Sequence, residues 1–466
     1  MAYFASDYLS RRLSRYIKEK QTLNNAVLLT LSLFFYYWCS GKFILVLAAS
    51  VLMNMLLGRS ISSSSRRKVL LTLGIVVNLA VLVYFKYYNF FYDQLSLMMA
   101  GTFQIHMKPH SFIFLPVGIS FYTFMAVSYL VEVYQNKEKS AGLLHFSTYL
   151  TLFPHLVAGP IVRYSELESE LRDRKVTVQL LFNGIWRFSM GMGKKVILAN
   201  SLGSVADKIF NLPTSELSTA LAWVGIISYT LQIYLDFSGY SDMAIGLASF
   251  FGFHFPENFN QPYQAKNVTE FWRRWHMTLS RWFKDYLYIG LGGNRKGPAR
   301  TYLNLFIVFS LCGLWHGASW SFVIWGVYHG SLLVVERLLN DRFGFRPRGI
   351  GGNALMLLLI MIGWVFFRSP SFDSAGDFLM ALFGAAQLSG HQYFTLGYYL
   401  DAGMLTYLLI GCLIALIPYE KVRLLFNRME PYKLALAKGT ASAFVIFYAV
   451  LMLSKTQFTP FIYFQF

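Results

Sequence analysis

Residues 69–91 read VLLTLGIVVNLAVLVYFKYYNFF, 23 positions interrupted by a single charge, Lys86. At 1.5 Å per helical residue the run is about 35 Å long, enough to cross a hydrocarbon core of roughly 30 Å. Similar runs lie on either side of it, at about Ala26 to Cys39, Phe43 to Leu57 and Ser111 to Val133. Others follow inside Leu217 to Phe255, Tyr302 to Leu339, Ala354 to Phe367, Leu396 to Pro418 and Leu434 to Leu453. This recurrence predicts an all-α polytopic integral membrane protein. We expect one membrane-embedded domain over 1–466, with an N-terminal hairpin at 26–57, a core at about 111–338 and C-terminal helices at 354–454.

Composition agrees with the bilayer as solvent. Of 466 residues 55% are hydrophobic and only 14% charged, against about a quarter charged in soluble domains, and the mean hydropathy is +0.44. The formal charge of +18 does not indicate nucleic-acid binding, because Lys and Arg fall in short clusters between apolar runs rather than on one polar face. Clusters at Arg11 to Lys20, Arg59 to Lys68, Arg337 to Arg348 and Lys421 to Arg428 mark cytoplasmic loops instead. They make the first two runs a tight hairpin, put the loop from Tyr92 to His110 on the opposite side and place the C-terminus outside. Cys39, Cys312 and Cys412 sit singly in apolar segments and read as small core hydrophobes. The first twenty residues are polar and basic, unlike a cleaved signal peptide.

Three segments break the pattern. Phe153-Pro154-His155-Leu156-Val157-Ala158-Gly159-Pro160 is apolar but interrupted by Pro and Gly, and irregular backbone at membrane depth survives only when protein or a water-filled cavity covers it; a re-entrant or interfacial element is predicted. Leu217 to Phe255 carries Asp236 and Asp242, carboxylates that must face the bundle interior; neighbouring Tyr, Ser and Asn side chains point to a hydrogen-bonded structural network, with a proton or cation path as the other reading. Thr269 to Tyr288 spaces Trp272, Trp275, Leu279 and Trp282 at helical intervals and projects Arg273, Arg274, Arg281 and Lys284 elsewhere, as an amphipathic helix in the cytoplasmic interface would.

His316 stands between apolar runs in Leu311-Cys312-Gly313-Leu314-Trp315-His316-Gly317-Ala318-Ser319. An ionisable ring at membrane depth is a functional candidate, and a histidine simply hydrogen-bonded in the bundle is the other reading. His276 falls on the proposed interfacial helix and also fits a headgroup-level residue. His329 follows His316 by thirteen residues, about 220° around a continuous helix, so the two share a site only if the chain kinks. The sequence contains no Gly-rich phosphate loop, no HExxH pair and no GxSxG elbow, and no bound metal is expected.

The segments Gln232 to Ala244, Pro256-Glu257-Asn258-Phe259-Asn260-Gln261-Pro262-Tyr263, Glu270-Phe271-Trp272-Arg273-Arg274-Trp275-His276 and Leu314-Trp315-His316-Gly317, in that order, resemble the core of the membrane-bound O-acyltransferase (MBOAT) family. Leu115 to Tyr122, Phe153 to Pro160 and the closing Phe461 to Phe466 are similar to its alginate O-acetyltransferase (AlgI-like) branch. The chain departs from that branch in starting where a further apolar segment would be ending, through either an internal start or a shorter protein. The resemblance implies a helical bundle with re-entrant and interfacial helices around a central funnel, in a bacterial inner membrane. It implies an O-acyltransferase that takes acetyl from a cytoplasmic thioester, acetyl-CoA or another, and passes it through the lipid bilayer toward an exported polysaccharide with a periplasmic acetyltransferase partner. His316 matches the family's catalytic histidine and would serve as proton acceptor; His276 matches a second histidine that lines the donor path. Arg273, Arg274 and Arg281 would attract donor phosphates or anionic lipid, Asn258 and Asn260 would hold backbone near the funnel, and Trp315 would line it. D-alanyl transfer to teichoic acid by a related branch and a non-catalytic transporter using Asp236 and Asp242 are the alternatives; His155 to Pro160 and Asn260 to Tyr263 favour the polysaccharide branch.

Overall fold

A computed structural model describes residues 2–136, 139–386, 395–426 and 429–455; the closing motif Phe461 to Phe466 lies outside them, as does Arg428. Among the described residues every regular element is helical. Six helical segments among the described residues are long and apolar enough to cross a membrane: Glu19–Ser63 counted through an internal turn, Arg67–Phe103, Thr219–Phe250, Trp320–Phe343, Gly349–Arg368 and Pro431–Lys455. Val69, Leu73 and Val76, at i, i+4 and i+7 on one face of the second, are at least half exposed. Lipid rather than water suits such a face, and the chain is an all-α polytopic membrane protein.

The chain divides into two compact units, residues 1–184 with 244–256, and 185–243 with 257–466. The first holds α1 (Ala2–Ser40), α2 (Ile44–Ser63), α3 (Arg67–Phe103), α4 (Ile119–Tyr134), α5 (Leu143–Thr151), α6 (Phe153–Leu156) and α7 (Tyr164–Arg172). Gly41, at φ +54°, turns the chain between α1 and α2, after which α1 packs on α5 while α2 packs on α3 and α4. Asn54 and Asn78 join α2 to α3 by reciprocal amide bonds of 3.0 and 2.7 Å, satisfying each other where water is excluded.

Two boundaries differ from expectation. The expected loop at Tyr92 is helical to Phe103, because residues 92–103 hold no proline and their polarity marks the end of the apolar run, not of the helix. The pass expected from Ser111 begins only at Ile119. Pro116 cannot donate a helical bond, and Gly118 at φ +73° lies so close to the 156–157 backbone that an added Cβ would sit 3.1 Å from Val157 Cα. The Phe153 to Pro160 segment is one helical turn followed by irregular backbone, and residues 154–162 are buried throughout. Protein thus covers the irregular backbone, as predicted.

The second unit takes the end of α8 (Val178–Met192), a π-helical stretch Gly193–Ala199, α9 (Asn200–Phe210) and most of α10 (Thr219–Phe250). It continues with α11 (Val268–Arg274), α12 (Met277–Trp282), a second π stretch Phe283–Tyr288, α13 (Pro298–His316), α14 (Trp320–Phe343) and α15 (Gly349–Arg368). Then come α16 (Phe372–Leu382), α17 (Leu396–Tyr399), α18 (Ala402–Leu416), α19 (Tyr419–Phe426) and α20 (Pro431–Lys455). The carboxylates of α10 face inward, but cations, more than the expected Tyr, Ser and Asn, hold them. Asp242 accepts from Arg187 Nε and Lys194 Nζ, each at 2.7 Å, Arg187 also clasps Glu257 at 2.8 and 2.6 Å, and Lys195 Nζ lies 2.6 Å from Asp236. Removing one partner of a buried pair strands the other charge. Asp242→Asn is therefore expected to destabilise the protein by about 3–5 kcal/mol, measurable as a lowered thermal midpoint in detergent.

The amphipathic helix expected over Thr269 to Tyr288 is not continuous. It breaks at Trp275 and His276, the latter at φ +42°, and its tryptophan stripe is buried, with Trp272, Trp275 and Trp282 each at most 8% exposed. The preceding chain competes for the helix's own bonds: Met277 N–H donates to Asn258 O at 2.8 Å and Asn260 N–H to Arg274 O at 2.9 Å. A periodicity of 3.6 cannot register such distant partners.

Candidate active site

α13 and α14 run antiparallel around the break Gly317–Ser319 that the sequence placed between them. Glycines let them approach closely: a Cβ on Gly326 would stand 3.0 Å from Gly313 Cα, and one on Gly330 3.3 Å from Phe306 Cα. Beside this pair, α11, α12, the following π stretch and residues 345–347 border a cavity of about 910 Å³. Leu305, Val308, Phe309, Cys312 and His316 line it from one face of α13, and from Leu305 to His316 that face is about 16 Å long. At the other end stand Arg337 and Asn340 of α14, with Arg346 donating to Asn340 at 2.6 Å; a hydrogen bond from Tyr302 Oη to Asp341 at 3.2 Å marks this as the end where α13 begins. The cavity is thus cationic at one end, apolar and aromatic along its wall, and closed by imidazoles at the other.

Both predicted histidines line it. His316 ends α13, 6% exposed, with the rings of Trp315 and Trp325 at 5.0 Å and Phe367 at 5.3 Å. Trp315 does not border the cavity itself but packs against both histidines, 6.3 Å from the His276 ring. The chain reversal brings Trp325 of α14 against His316, and His329, one turn further along α14, stacks edge-on to that same ring at 4.9 Å without joining His316 in one site. His329 is sealed against Trp272 and Trp325, fully buried, and does not border the cavity.

His276 is 1% exposed, and this burial pushes its pKa down to about 3, so the ring is neutral at physiological pH. Its Nδ1 lies 3.0 Å from Asn258 Oδ1, which also accepts from the Thr278 hydroxyl at 2.9 Å and the Thr278 amide at 3.4 Å. Asn258 Nδ2 donates to Ser241 Oγ at 3.0 Å. Asn258, itself 1% exposed, therefore meets His276 through its side chain while its carbonyl holds the Met277 amide at 2.8 Å.

The three arginines separate. Arg273 is exposed and borders the cavity. Arg274 is engaged by Glu270 at 2.7 Å and by the Asn260 carbonyl at 3.3 Å, and neither it nor Arg281 borders the cavity. Asn260 is exposed and meets Arg274 through backbone. The other cations bordering the cavity are Lys284, Arg337 and Arg346, which the sequence marked only as an interfacial face and loop charges. Of the bordering carboxylates, Glu270 pairs with Arg274, Asp341 lies 3.7 Å from Arg337 and Glu336 accepts the amides of Val268 and Thr269 at 2.7 and 3.1 Å; with Glu270 neutralised, Arg273, Lys284, Arg337 and Arg346 outnumber the remaining Glu336 and Asp341.

The description "MBOAT, membrane-bound O-acyltransferase family" matches residues 33–371. The probable alginate O-acetylase AlgI of Azotobacter vinelandii is 42% identical over 406 residues, 84% of this chain and 80% of that protein. Its counterpart in Pseudomonas putida is 37% identical over 97% of both chains, and the peptidoglycan O-acetyltransferase of Helicobacter pylori is 37% identical over 76% of this chain and 72% of that one. The teichoic acid D-alanyltransferase of Bacillus subtilis is more distant, 32% identical over 58% of this chain and 72% of its own length.

Proposed function

Since this chain belongs to the membrane-bound O-acyltransferase family and is an O-acyltransferase, we propose that it moves acetyl from a cytoplasmic thioester, acetyl-CoA or a related donor, across the bacterial inner membrane for O-acetylation of an exported polysaccharide. A periplasmic acetyltransferase completes the transfer. The observation that carries this reading is the cavity that joins a cationic rim to His316 and His276. Arg273, Lys284, Arg337 and Arg346 offer charge-assisted hydrogen bonds to donor phosphates, and their segments are those that positive loop charge assigns to the cytoplasm. The apolar wall accommodates an extended arm and keeps water from the thioester.

At the far end His316 accepts the proton of an attacking hydroxyl as its oxygen bonds to the acetyl carbonyl carbon. Collapse of the adduct breaks the carbon–sulfur bond, and the proton returns to the departing thiolate. The products are an O-acetyl ester and a free thiol. The acetylases named above favour acetyl over D-alanyl as the group moved.

Purified protein in proteoliposomes, given acetyl-CoA labelled in the acetyl group, is expected to release free CoA and transfer label to a hydroxyl acceptor. A transporter without chemistry would leave the thioester intact. In the same assay Arg273→Ala combined with Arg337→Ala is expected to raise the donor KM about a hundredfold or more, from loss of roughly 1.5–3 kcal/mol per charged hydrogen bond, with little change in kcat. The wild-type KM should rise with ionic strength.

A further inference from the structure

The environment of His276 specifies more than proximity to His316. The Thr278 backbone N–H can only donate, so the Asn258 amide must turn its oxygen toward Thr278 and His276; Nδ2 then faces Ser241, at 3.0 Å. An oxygen that already receives the Thr278 hydroxyl at 2.9 Å leaves His276 Nδ1 one role at 3.0 Å, that of donor. A neutral imidazole with its proton on Nδ1 carries a lone pair on Nε2. That nitrogen is buried and has no hydrogen-bond partner among the described residues, although the residue borders the cavity. The ring is also held by Phe237, centroid to centroid 4.6 Å and nearly perpendicular, and by the left-handed backbone at His276 itself. Leaving a buried acceptor without a partner is unfavourable, and a ligand hydrogen would remove that cost.

We propose that Asn258 is a positioning residue that fixes His276 as its Nδ1–H tautomer, presenting Nε2 to the cavity as a stationary acceptor for a polar O–H or N–H of the bound substrate. Ser241 and Thr278 act one step further out by orienting the amide, as outer-shell groups do for other functional histidines. Labour is thereby divided: His316 exchanges the proton, and His276 holds the substrate without taking one. This rests on the reading of the cavity as the acyl-transfer site.

The test is nitrogen NMR of protein carrying ¹⁵N-labelled histidine, with His276→Phe supplying the difference spectrum that assigns the ring. Wild-type His276 should show a protonated Nδ1 and a bare Nε2. The Nε2 signal should move when a non-hydrolysable acetyl-CoA thioether or a hydroxyl acceptor is added. Asn258→Leu should convert the ring to a mixture of tautomers and slow transfer at least tenfold; Thr278→Val, a milder change, should produce a partial mixture and covers the case in which the leucine variant does not accumulate. A proton on Nε2 in the wild type, an Nε2 signal indifferent to both ligands, or an unchanged tautomer in whichever variant folds would overturn the proposal. Failure of the function reading is a separate result, wild-type protein that transfers no acetyl whatever its tautomer.

Discussion

His316→Ala is expected to lower acetyl transfer by about 10²–10⁴-fold, the usual contribution of a positioned proton acceptor, while membrane insertion and protein level stay near wild type. The ring terminates α13 at the junction with an extended Gly317, so its removal subtracts no helical hydrogen bond; the Trp325 and Phe367 rings retain each other and Trp364 as partners, and Trp315 retains the His276 ring. The rate measured with labelled thioester in proteoliposomes decides the matter, alongside an immunoblot of the membrane fraction. Transfer within a fewfold of wild type would remove His316 from the role of base. His276→Phe keeps an aromatic ring of similar breadth while deleting both nitrogens, and a smaller loss is expected for it, because an oriented hydrogen bond contributes less than a proton relay.

The second large effect concerns the glycine seam that brings His316 beside α14. Gly313→Leu is expected to destabilise the protein by at least about 3 kcal/mol, at or above the upper end of ordinary overpacking. The first added carbon would lie 2.9 Å from Gly326 Cα and 3.0 Å from its nitrogen. That neighbour is backbone and has no side chain to swing aside. Separating the helices there also displaces His316, three residues on, so activity should fall further than stability accounts for. Gly439→Ala in α20 supplies the control. Among the described residues no atom beyond its own stretch of helix lies within 4 Å of its added methyl, and alanine is the better helix former by up to about 1 kcal/mol. Thermal unfolding of both variants in one detergent checks the contrast: a Gly313→Leu midpoint equal to wild type would show that the helices do not meet as closely as described.

Sequence reasoning located the apolar helices, the turn between α13 and α14 and the two cavity histidines, because hydropathy and an isolated ionisable residue in an apolar run are local signals. It failed where distant chain decides the outcome. Helix α3 continues past its apolar run because helix propensity, not polarity, ends a helix; α4 starts late because Gly118 must clear the backbone at 156–157. The predicted interfacial helix is broken at His276 by bonds from Asn258 and Asn260, which arrive from residues more than a dozen positions earlier. The rim cations illustrate the same limit. Arg337 and Arg346 were visible as charges that orient loops, but only the antiparallel return of α14 along α13 carries them to the start of the cavity. Asp242 was read as a buried carboxylate, yet its partners Arg187 and Lys194 come from a helix some fifty residues away, beyond the reach of any spacing rule.

The most direct measurement is a cryo-electron microscopy map of the protein with a non-hydrolysable acetyl-CoA analogue in which a methylene replaces the link between sulfur and carbonyl carbon. The expected density runs from phosphates beside Arg273 and Arg337, along the Leu305 to Cys312 face of α13, to an acetyl group within hydrogen-bonding or van der Waals reach of the His316 ring. An analogue bound elsewhere, with the cavity empty at saturating concentration, would contradict the assignment of His316 as the group that receives the proton.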